Sequence, residues 1–312
     1  MPIYYSEEEY YKILSVTERE RYTVIPNEFF DEISVLKKKV NLTKDSKHVS
    51  FAFSYLYLAT YLYRYAKFHE NTEYEFTEQE LKKLLTMSPD SCGKNSVNKI
   101  SKRGGILEEM GYIEKVKDYP ISYDYNPEEK EFVFSYLSDV IADLGESAHK
   151  YFNINSKNRK VNLPVKMFND RDIEISNTEC NGTIYDVKHT TSIDIKVFIY
   201  CMVREKLGLE AFYLYSFIKY KNGYYGGLWR RAIPNIIEDA GLSKKVVQSR
   251  LREMEQHGML HCTHEKFVVG AKGDRIPNGY RALEYNVFTK NGHKKEYTRG
   301  RIVSLKMKEE KK

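Results

Sequence analysis

Two segments in opposite halves of the chain match each other, and this match restricts the fold more than any other feature of the sequence. Residues 96–111 read SVNKISKRGGILEEMG, and residues 243–258 read SKKVVQSRLREMEQHG. Each segment runs from a serine that can begin a helix to a glycine that can end one. In this alignment the apolar Ile100 meets Val247. The match predicts that one structural unit occurs twice.

Other segments recur in the same order in the two halves. An aliphatic–proline pair followed by an aromatic segment opens each half, at residues 24–30 and 162–168. A run rich in aromatic residues follows, at 52–58 in the first half and 211–217 in the second. Such runs at helical spacing are typical of buried core helices.

A more polar helix is predicted after each aromatic run. In the first half it covers residues 77–85, where Thr77 can cap the helix and Glu80 can complete a capping box. In the second half it covers roughly residues 229–240, and Gly241 stands where a helix usually ends. Each of these helices would precede one of the two matching segments.

Strand-like segments with turn residues between them follow the matching segments. Residues 112–117 and 131–134 are predicted to form a hairpin in the first half, and residues 266–269 and 280–288 in the second. The second pair is separated by a tip rich in glycine, proline and asparagine. The predicted fold class is therefore mainly α with small β-hairpins (α+β).

A short helix, a tight turn, a second helix and a hairpin resemble the winged-helix DNA-binding proteins. The resemblance covers roughly residues 50–134 and 208–288, and it implies two winged-helix domains in tandem. Two consecutive winged helices also resemble plasmid and phage replication initiators in domain order. The division that follows is an acidic N-terminal segment (1–22), a first winged-helix domain (23–150), a linker (151–161), a second winged-helix domain (162–298) and a basic tail (299–312).

The second unit carries the stronger candidates for contact with DNA. Its second helix is expected to turn Val246, Val247, Leu251 and Met254 inward and to present the opposite face to the major groove. Glutamine can pair with adenine and arginine with guanine, whereas lysine positions the protein on phosphate. The outward candidates are Lys244, Lys245, Gln248, Ser249 and Arg252. Further contacts are expected from Arg230 and Arg231 at a helix start and from Lys272 and Arg275 at the wing tip, while Trp229 is expected in the core.

The first unit departs from this pattern at Gly104 and Gly105. Two consecutive glycines cost about 2 kcal/mol of helix propensity relative to alanine, so the helix is expected to break, kink or pack closely there. Its corresponding DNA candidates are Asn95, Asn98, Lys99, Lys102 and Arg103. Contact with DNA and a dimerisation role remain equal alternatives for this unit.

Charge is distributed unevenly along the chain. The formal net charge is +6, but residues 215–312 hold 21 Lys/Arg against 10 Asp/Glu, so the rest is slightly acidic. A basic third on an acidic chain favours a polyanionic partner. The acidic start and the lysine-rich end, residues 306–312, are expected to be mobile.

Sequence motifs for catalysis are missing from the chain. It contains no GxxxxGK[ST], GxSxG or HExxH motif, and we predict a protein that is not an enzyme and needs no cofactor. Four cysteines lie far apart without a CxxC pair. His257, His261, Cys262 and His264 are close in sequence, but alternation along a strand would direct His261 and Cys262 to opposite faces, so no metal site is predicted.

The N-terminus lacks the basic and apolar regions of a signal peptide, and the most apolar stretch, residues 51–68, is interrupted by Arg64 and Lys67. These features predict a cytoplasmic protein without membrane contact.

The leading functional hypothesis is a plasmid- or phage-type replication initiator that binds repeated origin sites in double-stranded DNA. It would recruit host replication proteins and could form a homodimer. One alternative is a winged-helix transcriptional regulator that binds an operator. The other is a primosome-type adaptor whose winged helices bind proteins.

Overall fold

The structure is a computed structural model that describes residues 2–40, 46–68, 74–90, 96–126, 128, 131–145, 160–167, 189–265, 267–269, 276–289, 295 and 302–304. Helices dominate, and the strands form small sheets that are antiparallel except for one pair. The predicted α+β class is thus confirmed. No helix in this described part of the chain combines the length and apolar character needed to cross a membrane.

The helices differ greatly in length, from four residues to nineteen. They are α1 (Glu7–Ile13), α2 (Glu28–Asp31), α3 (Ile33–Val40), α4 (Ser46–Arg64), α5 (Glu78–Leu84), α6 (Asn98–Ser101), α7 (Ile106–Glu109), α8 (Leu137–Leu144), α9 (Ile195–Met202), α10 (Gly208–Tyr224), α11 (Ile233–Asp239) and α12 (Lys244–Gln256). Short 3-10 helices cover Glu18–Glu20, Val165–Met167 and Tyr285–Val287.

The strands are short, and several pair across long distances in sequence. They are β1 (Tyr22–Pro26), β2 (Glu114–Val116), β3 (Pro120–Asn126), β4 (Glu131–Tyr136), β5 (Val161–Leu163), β6 (Thr190–Asp194), β7 (Trp229–Arg230), β8 (Leu260–Thr263), β9 (Phe267–Val269), β10 (Gly279–Ala282) and β11 (Ile302–Ser304). Antiparallel pairs join β1 to β6, β2 to β5 and β3 to β4, and a three-stranded sheet has the order β7-β10-β8.

Helices α4 and α10 contain the two aromatic runs and pack against each other at the centre of the molecule. The Tyr57 and Phe212 rings meet edge to face with centroids 4.9 Å apart, and Phe53 lies 5.6 Å from Phe212. All three side chains are fully buried. The prediction that these runs form core is confirmed, and a single buried apolar cluster extends through both halves of the chain.

Strand β1 of the first half pairs with β6 of the second, with Tyr22 opposite Asp194. The Asp194 carboxylate also accepts a hydrogen bond from the Lys196 backbone nitrogen at 2.8 Å and caps α9. Arg21 Nε donates to the same carboxylate at 3.2 Å. The start of α9 is therefore fixed by a residue that precedes β1.

Residues 162–168 do not open the second half as their match with residues 24–30 predicted. Val161–Leu163 is β5, which pairs with β2, and Lys166 forms ion pairs with Glu28 at 2.6 Å and Glu32 at 3.3 Å. The expected boundary at residues 161/162 thus lies within a strand of a sheet formed with the first half, and linker residues 151–159 lie outside the described residues.

Two hairpin predictions also need correction. In the first half β4 pairs with β3, which was expected as a turn, and not with residues 112–117. In the second half Tyr280 pairs with Cys262 on β8, while β9 pairs in parallel with β11. Strand β10 ends at Ala282, and a 3-10 helix at Tyr285–Val287 replaces the rest of the expected strand.

The acidic N-terminal segment is ordered and packed, contrary to the expected mobility. A capping box formed by Ser6 and Glu9 begins α1. Tyr10 is fully buried, and its hydroxyl donates to the Leu84 carbonyl at 2.7 Å. In the basic tail, Ile302–Ser304 forms β11, and residues 306–312 lie outside the described part.

The polar helix of the first half begins as predicted. Thr77 Oγ1 accepts from the Glu80 backbone nitrogen at 3.2 Å. The Glu80 carboxylate does not complete the expected capping box; it accepts hydrogen bonds from Lys83 Nζ at 3.1 Å and from the Tyr5 hydroxyl. The N-terminal segment and α5 are joined by this second contact.

Candidate nucleic-acid interface

Helix α12 has one buried and one exposed face, as its spacing predicted. Val247 and Met254 are fully buried and Leu251 nearly so. The Arg250 guanidinium binds the Glu210 carboxylate of α10, with Nη2 to Oε2 at 2.6 Å, and holds the helix against the core. Val246 is half-buried. Apolar packing and one ion pair therefore hold the inward side of α12 against the core.

The opposite face is made of the five predicted polar side chains, all of them exposed: Lys244, Lys245, Gln248, Ser249 and Arg252. Their spacing of one and four residues keeps them on one side of the helix. At 1.5 Å per residue the face is about 12 Å long. The major groove of B-DNA is also about 12 Å wide and admits an α-helix.

A cleft of about 510 Å³ separates α12 from the β8–β10 strand pair. One wall contains Gln248, Ser249 and Arg252 together with the carboxylates of Glu253 and Glu255, and the other contains His264 and Asn278. The His264 Nε2 lies 2.7 Å from Glu255 Oε1 and links the two walls. Polar groups on both sides make the cleft a continuation of the exposed face of α12.

The base of the β8–β10 pair is fixed by side chains. Asn278 Oδ1 accepts from the Glu265 backbone nitrogen at 3.1 Å, and Thr263 Oγ1 accepts from the Gly279 nitrogen at 2.9 Å. These bonds join the ends of the two strands. Lys272 and Arg275, the tip candidates, lie outside the described residues.

Arg230 and Arg231 are arranged differently from the prediction, because Trp229–Arg230 is a strand and α11 begins only at Ile233. Arg230 Nη1 binds Glu265 at 2.7 Å, and Arg231 binds both carboxylate oxygens of Asp239 at 2.7 and 3.0 Å. Both arginine charges are balanced by carboxylates within the chain, so these residues are weaker candidates for contact with DNA phosphate. Trp229 is buried, as predicted.

The matching helix of the first half is broken where the sequence indicated. Asn98–Ser101 (α6) and Ile106–Glu109 (α7) are separated by a turn in which Gly104 has φ +64°. The segment that matches α12 therefore forms two single helical turns. Lys99, Lys102 and Arg103 are exposed, Asn98 is half-buried, and Asn95 lies outside the described residues. These side chains are not brought together on one helical face.

A polar network joins α4, α5, β2 and β5 in the first half. The Tyr55 hydroxyl donates to Glu78 at 2.7 Å and accepts from Asn162 at 3.0 Å and from Lys115 at 3.0 Å. Lys115 also forms an ion pair with Glu78 at 3.2 Å. Burial and the Glu78 charge raise the pKa of Tyr55 well above its usual value. This internal network leaves the first half less suited to a groove contact.

The histidines and cysteine near the end of α12 are separated in the structure. His257 is buried with Nδ1 2.9 Å from the Tyr200 hydroxyl, whereas His261 is exposed. Burial and the neighbouring Glu255 raise the pKa of the Cys262 thiol. Among the described residues, no three His, Cys, Asp or Glu side chains are grouped to hold a metal ion.

Sequence reasoning missed Lys37 and Ser46, which lie beside the turn between α11 and α12. Lys37 opens a run of three lysines, and this run was the available signal.

Comparison of the chain with family models, with curated proteins and with solved structures finds no match.

Proposed function

We propose that the exposed face of α12 binds the major groove of double-stranded DNA and reads its sequence. The observation that supports this is the division of α12 into a packed apolar side and a side of five exposed polar residues. A helix with this division can enter a groove without losing its own core contacts.

We assign the second half to the winged-helix class on its element order. Helix α10, strand β7, helices α11 and α12, and strands β8 and β10 follow one another, with the sheet order β7-β10-β8. In this class the second helix of the helix-turn-helix enters the groove and the hairpin contacts the backbone. A winged helix in the first half is the weaker part of the tandem proposal, because its matching helix is broken.

The proposed roles follow from side-chain chemistry. Gln248 and Arg252 would pair with base edges, since their groups match adenine and guanine in the major groove. Lys244 and Lys245, at the start of α12, would contact phosphate and set the register. Ser249 would contact either a base or the backbone.

At the level of the whole protein, we propose a non-catalytic replication initiator of the plasmid or phage type. The basic C-terminal third and the repeated order of elements support this over a single-site binder. Host replication proteins and a second copy of the chain are the proposed partners. The broken helix and paired first-half side chains favour protein contact for the first half, which keeps the adaptor as a second candidate.

The first experiment is footprinting of the purified chain on its own coding locus and flanks, at about 0.15 M salt with competitor DNA, since binding depends on salt. Protection of evenly spaced repeats with permanganate-reactive thymines nearby would support an initiator. One protected operator in closed duplex would support a transcriptional regulator. No protection would contradict specific DNA binding and leave the adaptor as the better hypothesis.

A triple variant tests the reading face directly. Changing Lys244, Gln248 and Arg252 to alanine is expected to abolish the footprint without lowering thermal stability, because all three are exposed. The matched control changes Lys117, Gln79 and Arg19 to alanine, three exposed first-half residues outside the candidate DNA contacts. A footprint that survives the first variant would show that α12 is not the reading helix.

A further inference from the structure

The first half of the chain touches the turn that begins α12. Gly241 in this turn has φ +67°, and a Cβ placed on it would lie 2.5 Å from Ile33 Cγ2 and 3.0 Å from Lys37 Cδ. Ile33 is buried. Helix α3 therefore packs directly on the turn, with no room for a side chain between them.

A hydrogen bond fixes the next part of the same turn. The Ser243 backbone nitrogen donates to Ser46 Oγ at 2.7 Å, and Ser46, the first residue of α4, is buried. Ser243 is the residue before α12. Helix α3 and the first residue of α4 thus hold the turn from two sides, and the first half sets the position of α12.

The Lys37 side chain runs along this turn. Its Cε is 3.9 Å from the Cβ position of Gly241, and the side chain as a whole is half-buried. The ammonium extends one bond beyond Cε, so it lies close to the turn from which Lys244 and Lys245 follow. The N-terminal part of a recognition helix approaches the DNA, and the N-terminus of a helix favours anions such as phosphate.

We propose that Lys37 is a phosphate-binding residue of the α12 interface, supplied by the opposite half of the chain. The proposal rests on the proposed function, because it places Lys37 within the same DNA contact. It adds a role for the first half that does not depend on its own broken helix. The aliphatic part of Lys37 is held against Gly241, and the charged end is the part offered to DNA.

The test measures salt dependence with the full chain and a fluorescein-labelled mixed-sequence duplex. Each phosphate contact contributes about 0.9 to the slope of log K against log salt. Lys37→Gln is expected to reduce the slope by about that amount between about 50 and 200 mM KCl, and to weaken binding roughly five- to tenfold at about 0.1 M. Lys37→Arg should retain the wild-type slope. The matched control is Lys117→Gln, an exposed first-half lysine that follows β2 and should also retain it.

Two further results separate this inference from the proposed function. If Lys37→Gln keeps the wild-type slope while Lys244→Gln lowers it, the proposed contact of Lys37 with phosphate is overturned. This holds whether or not Lys37→Gln binds DNA more weakly. A wild-type chain whose binding does not depend on salt, or an α12 triple variant that binds like wild type, would contradict the proposed function itself. Equal melting temperatures of the variants would show that charge, and not folding, causes the change.

Discussion

The backbone nitrogen of Ser243 donates a hydrogen bond to the side chain of Ser46, 197 residues earlier in the sequence. One partner precedes α12, and the other begins α4. The bond joins the candidate reading helix of the second half to the central helix of the first.

Ser46→Ala is expected to destabilise the protein by about 1 kcal/mol, because a half-buried backbone nitrogen loses its acceptor. DNA affinity should fall as well, since the start of α12 is no longer held. Urea unfolding followed by circular dichroism measures the first effect. Ser50→Ala is the matched control, because the Ser50 hydroxyl donates within α4 to the Ser46 carbonyl at 2.9 Å. An equal loss in both variants would contradict a special role for Ser46.

Gly104→Ala and Gly105→Ala are expected to destabilise the protein for different reasons. Gly104 has φ +64° with open space around it, so alanine there costs about 1–2 kcal/mol of backbone strain. A Cβ on Gly105 would meet three backbone carbonyl oxygens at 2.6–2.9 Å, so we expect a further loss of about 1–3 kcal/mol. Denaturant midpoints of the single variants measure both. Higher stability in either variant would show that an unbroken helix can form.

The buried ion pair of Lys67 and Glu20 gives a third prediction. Their charged atoms are 2.7 Å apart, with side chains only 1% and 7% exposed. Lys67→Met leaves a buried carboxylate without its cation and should cost about 3–5 kcal/mol. Adding Glu20→Gln should restore much of this loss.

The control for the buried pair is Lys219→Met, which removes a cation from the exposed Glu284 at 3.0 Å. We expect a change within about 1 kcal/mol there, because solvent screens the pair. Thermal unfolding of the three variants and the wild type compares the two sites. Similar losses for Lys67→Met and Lys219→Met would contradict the strong effect of burial.

Glu32 should contribute a pH-dependent part of the stability. Burial favours its protonated form, but the hydrogen bond from Tyr112 at 2.6 Å and the charge of Lys166 outweigh it and hold the pKa of Glu32 below its usual 4.5. A lowered pKa gives stability that is present above the unfolded value and lost as pH falls through the folded value. Wild type should therefore lose more stability than Glu32→Gln between about pH 5 and pH 3. Parallel urea titrations test this, with the exposed Glu114→Gln as control.

The sequence predicted those features that depend on local spacing. The inward side of α12 and the burial of both aromatic helices follow from helical periodicity. The break at Gly104 follows from intrinsic propensity. These signals lie within a few neighbouring residues, so a single sequence was sufficient.

Pairings between distant residues could not be predicted in this way. Strand β5 is three residues long and has no property that would select β2 as its partner. Its pairing depends on packing between whole elements. The same holds for Arg230, whose acidic partner Glu265 follows 35 residues later, and for Lys37 beside Gly241. The α12 part of the candidate interface was thus predicted from the sequence. The part that the first half contributes, at Lys37, was missed.

The pairing of β1 with β6 also has a consequence for synthesis on the ribosome. Tyr22 emerges early, but its partner Asp194 is added 172 residues later. At about 5–20 residues per second, the nascent strand waits roughly ten to thirty seconds for its neighbour. Throughout this interval the N-terminal half presents an open strand edge and an aromatic surface to its surroundings, and it becomes a candidate client for chaperones.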